Sequence, residues 1–579
     1  MKQFELADLF DRIADLLELK SGENPFRIRA YRRAALNLRS VPGDLEEKVR
    51  AGSLEKIPGV GADLAQKIEE FISTGRLEYL ERLKKQVPEC LVTLVGIPGV
   101  GPKTARLLYD RLKIRSIEDL ERVLKQGKLR SLPGLREKKE QNILRGIRLV
   151  QSGRDRMLLG TALALGRNIL GALKSLPEVL EIELAGSLRR RQETIGDIDI
   201  LVSSRNARPV MERFIKLAGP GGIQAHGETK SSIRTGQGIQ VDLRVVEPDS
   251  FGAALVYFTG SKEHNIRIRS LAVRMGLTVN EYGVFKGKSQ KRVAGRSEAD
   301  VYRVLGMKWV PPELREDHGE VEAARKGRIP KLLEEGDLKG SIHNHSKWTD
   351  GAHSIEEVAK AIRQKGYRYM VLSDHSRSLR IAGGLSIPEL EKEMREVRRL
   401  NQRLVPFRIL MGSEVDILPD GRLDYPDSVL ARLDVVIAAV HSAFKQPRAA
   451  MTRRIIQAIR NPYVSILAHP TGRLLGEREP VEVDLEEVSR AAAAASTALE
   501  INCYPQRLDL NDVHIRQARE AGARFVVSTD THVLANLENL ELGVATARRG
   551  WLAPSEVLNT LQAEPFLAWA RKKRPARSR

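Results

Sequence analysis

The sequence predicts a multidomain chain of mixed class, with helical units first, an α+β region in the middle and a parallel α/β barrel at the end. Three observations predict it. Residues 1 to about 150 carry apolar positions at helical spacing, broken at Pro-Gly pairs. From about 155 to 315, short strand-like runs such as Gly196–Ser204 and Ile239–Val246 alternate with helical ones. After Leu338 one theme repeats: a short β-rich apolar run, a polar residue or two, then a helical segment. Such alternation predicts parallel strands joined by helices, and a barrel is the expected closure.

A chain of 579 residues is too long for one core, so about three to five compact units are expected. The boundaries fall at 1–85 and 86–154 for two helical domains, 155–248 for an α+β domain and 249–315 for a small α/β domain. Arg315–Pro330 shows no sustained apolar face, which predicts a linker over 316–336 before the barrel at 337–570. The last segment, 571–579, reads as a disordered basic arm.

Composition narrows the function classes. Ninety-six Lys and Arg against 75 Asp and Glu leave a net charge of +21, which suits a polyanionic partner without deciding for one. Cys90 and Cys503 are the only cysteines, which excludes a disulfide framework and a thiolate zinc cluster. Met1–Leu19 reads as an amphipathic helix because charges interrupt every apolar run, and no later segment has the length of a membrane span. A cytoplasmic protein without a membrane partner is expected.

Eight of the 11 histidines fall after residue 340, and the strand-like runs there end in metal-ligating residue types. These are His343 with His345, His375, Glu414, His441, His469, and Asp530 with His532; Asp350 follows after a short loop. In a parallel α/β barrel, residues at the strands' C-terminal ends converge on one rim. Imidazoles and carboxylates without thiolates suit zinc, manganese or iron. The pattern resembles the PHP family, the polymerase and histidinol phosphatase domains. The resemblance implies a distorted (β/α)7 barrel in which these nine residues hold two or three Mn²⁺, Zn²⁺ or Fe ions. It also implies phosphoester hydrolysis, as a 3′-5′ exonuclease with 3′-phosphatase or abasic-site endonuclease activity as further options. Arg377, Arg380 and Arg473 are candidate phosphate contacts, with a solvated surface as the alternative; His353 and His514 read as surface residues.

A second carboxylate set lies in the middle region. Asp197 and Asp199 stand two apart in one strand and so share a face, and a later strand supplies Asp242. Three converging carboxylates suit the two Mg²⁺ or Mn²⁺ ions of an in-line phosphoryl transfer. With Gly186, Ser187, Arg190 and Gly196, the segment resembles the nucleotidyltransferase motif of X-family DNA polymerases. That resemblance makes 155–248 a palm and 249–315 a thumb. It implies that Gly186, Ser187 and Arg190 bind the incoming nucleotide's phosphates. Tyr257, Phe258 and Gly260 then match the sugar-contacting segment, and Asn265 and Arg269 the contacts to the nascent base pair. Gln240 and Lys262 depart from what polymerase beta carries there, which bears on primer activation and sugar selectivity.

Ile57–Gly61 and Ile97–Gly101 are near-identical turns, each followed by a helical segment, with a weaker third at Leu132–Gly134. They read as helix-hairpin-helix elements in which Gly59, Gly61, Gly99 and Gly101 let the backbone approach a DNA phosphate. Lys67 matches the Schiff-base lysine of the family's end-binding domain and is a candidate lyase nucleophile. Asp63 stands one turn earlier and opposes that role, leaving a phosphate contact as the alternative.

Together these readings predict a monomeric polymerase that fills gapped or nicked DNA from deoxynucleoside triphosphates in base excision repair or end joining, with a barrel that trims 3′ ends. Two rivals stand beside it: a small-molecule phosphatase with a vestigial polymerase half, and a catalytically weak scaffold for DNA ends.

Overall fold

The computed structural model describes residues 2–20, 24–38, 49–50, 52, 54–56, 59–95, 97, 100–131, 139–140, 143–144, 147, 156–219, 222–287 and 291–575. In the helical region, Ala62–Thr74 and Pro102–Leu112 each start directly after a glycine, Gly61 or Gly101, in extended conformation. Gly59 sits at φ +79°, a backbone region that glycine enters without steric cost. Pro58, Pro98, Gly99 and the third turn at Leu132–Gly134 lie outside the described residues. Leu64, Ile68 and Phe71 bury one face of the first of these helices. A single apolar cluster runs from Leu6 to Ile147, so the expected two helical units share one core.

The next region opens with a two-stranded pairing of β1, Met157–Leu158, and β3, Thr194–Ile195. A five-stranded sheet of β2 (Glu181–Leu184), β4 (Asp197–Ser203), β5 (Ile223–His226), β6 (Lys230–Arg234) and β7 (Gln240–Val246) follows, in the order β2-β4-β7-β6-β5. β4 and β7 run parallel, with Asp199 opposite Asp242. Alternation sends Ile198, Ile200, Val241 and Leu243 into a core shared with helices Leu159–Lys174 and Ala207–Ile215, which leaves the aspartates on the opposite face.

Helices Phe251–Thr259 and Lys262–Arg274 then pack with an antiparallel sheet of β8 (Leu277–Asn280), β9 (Gly283–Lys286) and β10 (Lys291–Ala294). The expected linker is instead part of this unit. Arg315 is fully buried, with Nη1 donating to Glu298 Oε1 at 2.7 Å and Nε to the Val310 carbonyl at 2.9 Å. Glu320 is buried against His264, and Val321, Ala324 and Leu332 join the apolar cluster of Val301 and Leu305. The segment escapes a periodicity reading because it buries charges by pairing them rather than by presenting an apolar face.

Seven parallel strands close the barrel: β11 (Gly340–Asn344), β12 (Tyr369–Leu372), β13 (Arg408–Asp416), β14 (Val435–Ala439), β15 (Val464–Leu467), β16 (Ala498–Asn502) and β17 (Arg524–Thr531). Their near-continuous burial follows from helices on the outside and packed side chains within. Helix Ala563–Arg571 lays Phe566 and Leu567 against Ile342, Tyr369 and Val371. In the basic arm expected after it, the described residues are held against the barrel. Lys573 Nζ donates to the Ile459 carbonyl at 3.0 Å and to Thr497 Oγ1 at 2.7 Å, and Arg574 Nη1 donates to the Leu433 carbonyl at 2.7 Å. Carbonyls at the ends of barrel elements thus capture part of a tail that composition alone reads as loose.

The barrel docks on the unit of the five-stranded sheet: Leu508 and Leu542 enter that unit's apolar cluster, and Arg473 pairs with Glu193 at 2.6 Å. Among the described residues, no helix is long and apolar enough to cross a membrane.

Candidate metal and nucleotide centres

Asp199 stands opposite Asp242 on neighbouring strands, and Asp197 lies two residues from Asp199 on the same face. Burial pushes the Asp199 carboxyl up to about 7, helped by the neighbouring charges of Asp197 and Asp242. Gathering three carboxylates is costly unless a cation relieves it, so the residues fit a divalent ion. Gln240 Nε2 donates to Asp242 Oδ1 at 2.9 Å, so the departure at 240 still orients a carboxylate. Gly186, at φ +59°, opens a short helical turn so close to Asp199 that a Cβ would stand 2.0 Å from Oδ2. Ser187 is half-buried in the same turn.

Arg190 Nη1 donates to the Thr259 carbonyl at 2.5 Å, and Gly260, at φ +70°, lies beside the same guanidinium. Gly196 abuts Arg156. Tyr257 and Phe258 belong to the helix Phe251–Thr259, with their rings edge to face at 5.1 Å and Arg244 4.5 Å over Phe258. Asn265 Nδ2 donates to the Tyr257 carbonyl at 2.6 Å, and Arg269 Nε donates to the Asn265 carbonyl at 3.3 Å. Lys262 is exposed.

At the barrel mouth the nine residues come together in overlapping groups. His345, Asp350, His375 and His532 form one; His343, His345 and Asp530 a second; His375, Glu414 and His441 a third. His469 Nε2 lies 2.9 Å from Glu414 Oε1, which makes Glu414 central to the set. His343, His469 and Asp530 take positive φ of 62°, 26° and 48°, uncommon conformations that turn their side chains inward at strand ends.

Buried ring nitrogens without a hydrogen-bond partner include His343 Nε2, both nitrogens of His345 and His469 Nδ1. Buried polar atoms are seldom left unpaired, so this donor set fits metal ligation. Burial and the facing His532 and His375 pull His345 down to about 4, leaving the neutral ring a metal requires. Burial favours the neutral ring at His375 and His532 too, yet facing carboxylates push them up to about 10 and about 9. The cluster demands positive charge, and divalent cations supply it.

Comparison with known proteins agrees with this geometry. The chain is 38% identical over 574 residues to the DNA polymerase/3′-5′ exonuclease PolX of Bacillus subtilis (strain 168), covering 99% of this chain and 100% of that one. It belongs to the bacterial family X DNA polymerases that carry a PHP domain. Family models place this PolX-family chain's DNA polymerase beta thumb at 254–316 and its PHP domain at 341–503. A helix-hairpin-helix domain matches 1–77 and a SAM-like helix-hairpin-helix tandem 91–149. A probable phosphatase of Thermoanaerobacter sp. (strain X514) is 28% identical over 229 residues, 38% of this chain and 89% of its own. One of Acetivibrio thermocellus is 28% identical over 200 residues, 33% of this chain and 78% of its own.

Sequence reasoning missed the carboxylates behind the PolX-family barrel's candidate ligands. Glu500 Oε1 accepts from His343 Nδ1 at 2.5 Å and from Ser528 Oγ at 2.5 Å, while Oε2 accepts from the His469 amide at 2.6 Å. Asp416 accepts from His441 Nδ1 at 2.6 Å. Such partners fix the ring that the metal meets and its tautomer. The signal was present: Glu414-x-Asp416 and Glu500-x-Asn502 carry the same one-face spacing as the palm aspartates. Glu500→Gln, whose amide cannot accept at both atoms, is expected to weaken metal binding about ten- to a hundredfold. Mn²⁺ titration of the barrel's hydrolytic activity measures this, and an unchanged midpoint would make Glu500 a mere space-filler.

Three expectations are corrected. Arg473 is buried, donating to Glu193 and to the Arg507 and Leu508 carbonyls, so its guanidinium is turned into the protein rather than held out to a phosphate. His353 and His514 are half-buried rather than surface residues, and neither joins a ligand group. Arg377 is exposed but pairs with Asp424 at 3.1 Å; Arg380 is exposed.

Proposed function

We propose that this chain is a template-directed DNA polymerase that fills short gaps in repair and uses its barrel as a metal-dependent 3′-5′ exonuclease. The observation that carries the reading is the coexistence of the neighbouring Asp197, Asp199 and Asp242 with a cluster of candidate ligands at the barrel mouth, on a chain related over its full length to a polymerase/exonuclease. Asp197, Asp199 and Asp242 are suited to Mg²⁺ or Mn²⁺, and the barrel's imidazoles and carboxylates to Mn²⁺, Zn²⁺ or iron. When bound, such ions stabilise the attacking and leaving oxygens of phosphoryl transfer in the palm and lower the pKa of water in the barrel.

The chain's own residues supply the rest. In the palm, the Gly186–Ser187 turn and the Arg190 guanidinium hold the incoming nucleotide's triphosphate, Gln240 orients Asp242, and Tyr257, Phe258 and Gly260 limit the sugar's space. Asn265 and Arg269 face the nascent base pair. At the barrel, Arg377 and Arg380, exposed in the segment that follows His375, steady the backbone of a 3′ end. The glycine turns at Gly59–Gly61 and Gly99–Gly101 hold the duplex without reading it.

Lys67 Nζ lies 2.5 Å from Asp63 Oδ1 and 5.3 Å from the Tyr79 ring centre. An ion-paired ammonium has no free electron pair for an aldehyde, so Lys67 serves a DNA phosphate rather than a lyase step. Borohydride treatment with an incised abasic substrate is expected to trap no adduct. A trapped adduct that Lys67→Ala removes would reinstate the lyase.

The test of the whole reading uses purified protein, gapped primer–template DNA and Mn²⁺. Extension is expected with deoxynucleoside triphosphates, 3′ shortening without them, and loss of both on chelation. Tight DNA binding with neither reaction would favour a scaffold. Faster hydrolysis of a small phosphomonoester than of any DNA end would favour a metabolite phosphatase.

A further inference from the structure

One helix of the barrel grips the strip of palm that carries Arg190. Helix Leu540–Arg549 packs on β17, and both its ends reach the polymerase half. At its first turn Glu541 Oε1 accepts from Arg167 Nη2 at 2.5 Å and lies 3.3 Å from Arg191 Nη2. At its last turn Arg548 Nε donates to Glu313 Oε1 at 2.7 Å. Arg549, 7% exposed, then makes the central bridge. Its Nη1 donates to the Arg190 carbonyl at 2.8 Å and to Glu316 Oε1 at 2.9 Å, and its Nη2 donates to Asp512 Oδ2 at 2.6 Å. The same Glu316 oxygen accepts from Arg190 Nε at 2.9 Å and from Gln192 Nε2 at 2.6 Å.

A guanidinium that must meet a phosphate works only if its rotamer is set beforehand, by partners that are themselves fixed. Glu316 sets the Arg190 side chain, and Arg549 fixes Glu316 from the barrel side, being anchored in turn by Asp512. Arg549 also ties down the Arg190 main chain, so both ends of the nucleotide-facing residue depend on it. We propose that Arg549 of the barrel is a positioning residue for the polymerase's nucleotide site, acting through Glu316 and the Arg190 carbonyl. The proposal rests on Arg190 as a triphosphate-holding residue. The barrel then does more than edit: its outer helix completes the site that synthesises.

Steady-state extension of gapped DNA with varied nucleotide, beside 3′ degradation without nucleotide, tests this. Arg549→Met is expected to raise the KM for the incoming nucleotide about tenfold, the size of losing one charge-assisted hydrogen bond, with kcat and degradation unchanged. Arg549→Lys, which keeps the charge without the two-sided fork, should fall between Arg549→Met and the parent. Because Arg549 acts through Arg190, the double variant Arg190→Ala/Arg549→Met should be no worse than Arg190→Ala alone. An unchanged KM in Arg549→Met, or additive losses in the double variant, overturns the proposal. Parallel loss of extension and degradation overturns it as well, because it marks a general structural role. Should Arg549→Met fail to fold, Glu316→Gln weakens the same bridge at its centre and is read by the same KM. A parental KM in Arg190→Ala would instead remove the nucleotide reading of Arg190 itself.

Discussion

Asp242→Ala abolishes primer extension on gapped DNA and leaves 3′-end degradation intact, while His345→Ala does the reverse: this crossed result is expected to be the largest effect in the molecule. Losing one of three carboxylates that gather divalent ions removes several kcal/mol of charge stabilisation in phosphoryl transfer, about a thousandfold in rate or more. The fold is not at risk, because the charge of Asp242 is one of the influences that hold the Asp199 carboxyl up near 7. Its removal relieves like-charge repulsion, so thermal unfolding should be unchanged or slightly later. His345 is equally separable, since its nearest protein partner is a single carboxylate oxygen, Asp530 Oδ1, 3.3 Å from Nε2. Paired gel assays of extension and degradation measure both reactions in both variants. Loss of both activities in either variant would mean that the two centres do not act independently.

The features that were legible in the sequence are those with a short repeat. Asp197-x-Asp199, His343-x-His345 and Asp530-x-His532 announce themselves because strand alternation aims residues two apart at one face. The barrel was legible for a related reason, as its strands are short apolar runs ending in polar residues. What was not legible depends on partners distant in the chain. Glu500 sits inside a run that reads as plain core, and only the fold brings it against His343, 157 residues earlier. Arg473 reads as a phosphate contact or a solvated surface residue until Glu193, 280 residues away, is found beside it. The stretch after Arg315 looks like a linker because hydrophobic patterning cannot register buried ion pairs such as Arg315 with Glu298. Positive φ at His343 and Asp530 is likewise invisible in sequence, since neither residue type demands it.

Gly186→Ala tests whether the nucleotide turn and the metal triad are one device. Alanine at φ +59° costs about 1 kcal/mol in backbone strain, which the surrounding fold can absorb. The larger consequence is spatial: the new Cβ would stand 2.0 Å from Asp199 Oδ2 and 3.1 Å from its Cγ, so the central carboxylate of the triad must move. A displacement of about 1 Å at a reacting centre costs on the order of a hundredfold. Extension should therefore fall at least about a hundredfold while 3′ degradation is unaffected. Gly171→Ala, where nothing lies within 4 Å of the new methyl, is the control and should leave extension unchanged. Varying metal and nucleotide separately in residual extension distinguishes the two roles of Gly186. A raised metal requirement with an unchanged nucleotide KM means that Asp199 has been pushed off its ligand position. The opposite pattern means that the turn's chief work is the close approach of its backbone to the triphosphate, and that Asp199 finds room to recover.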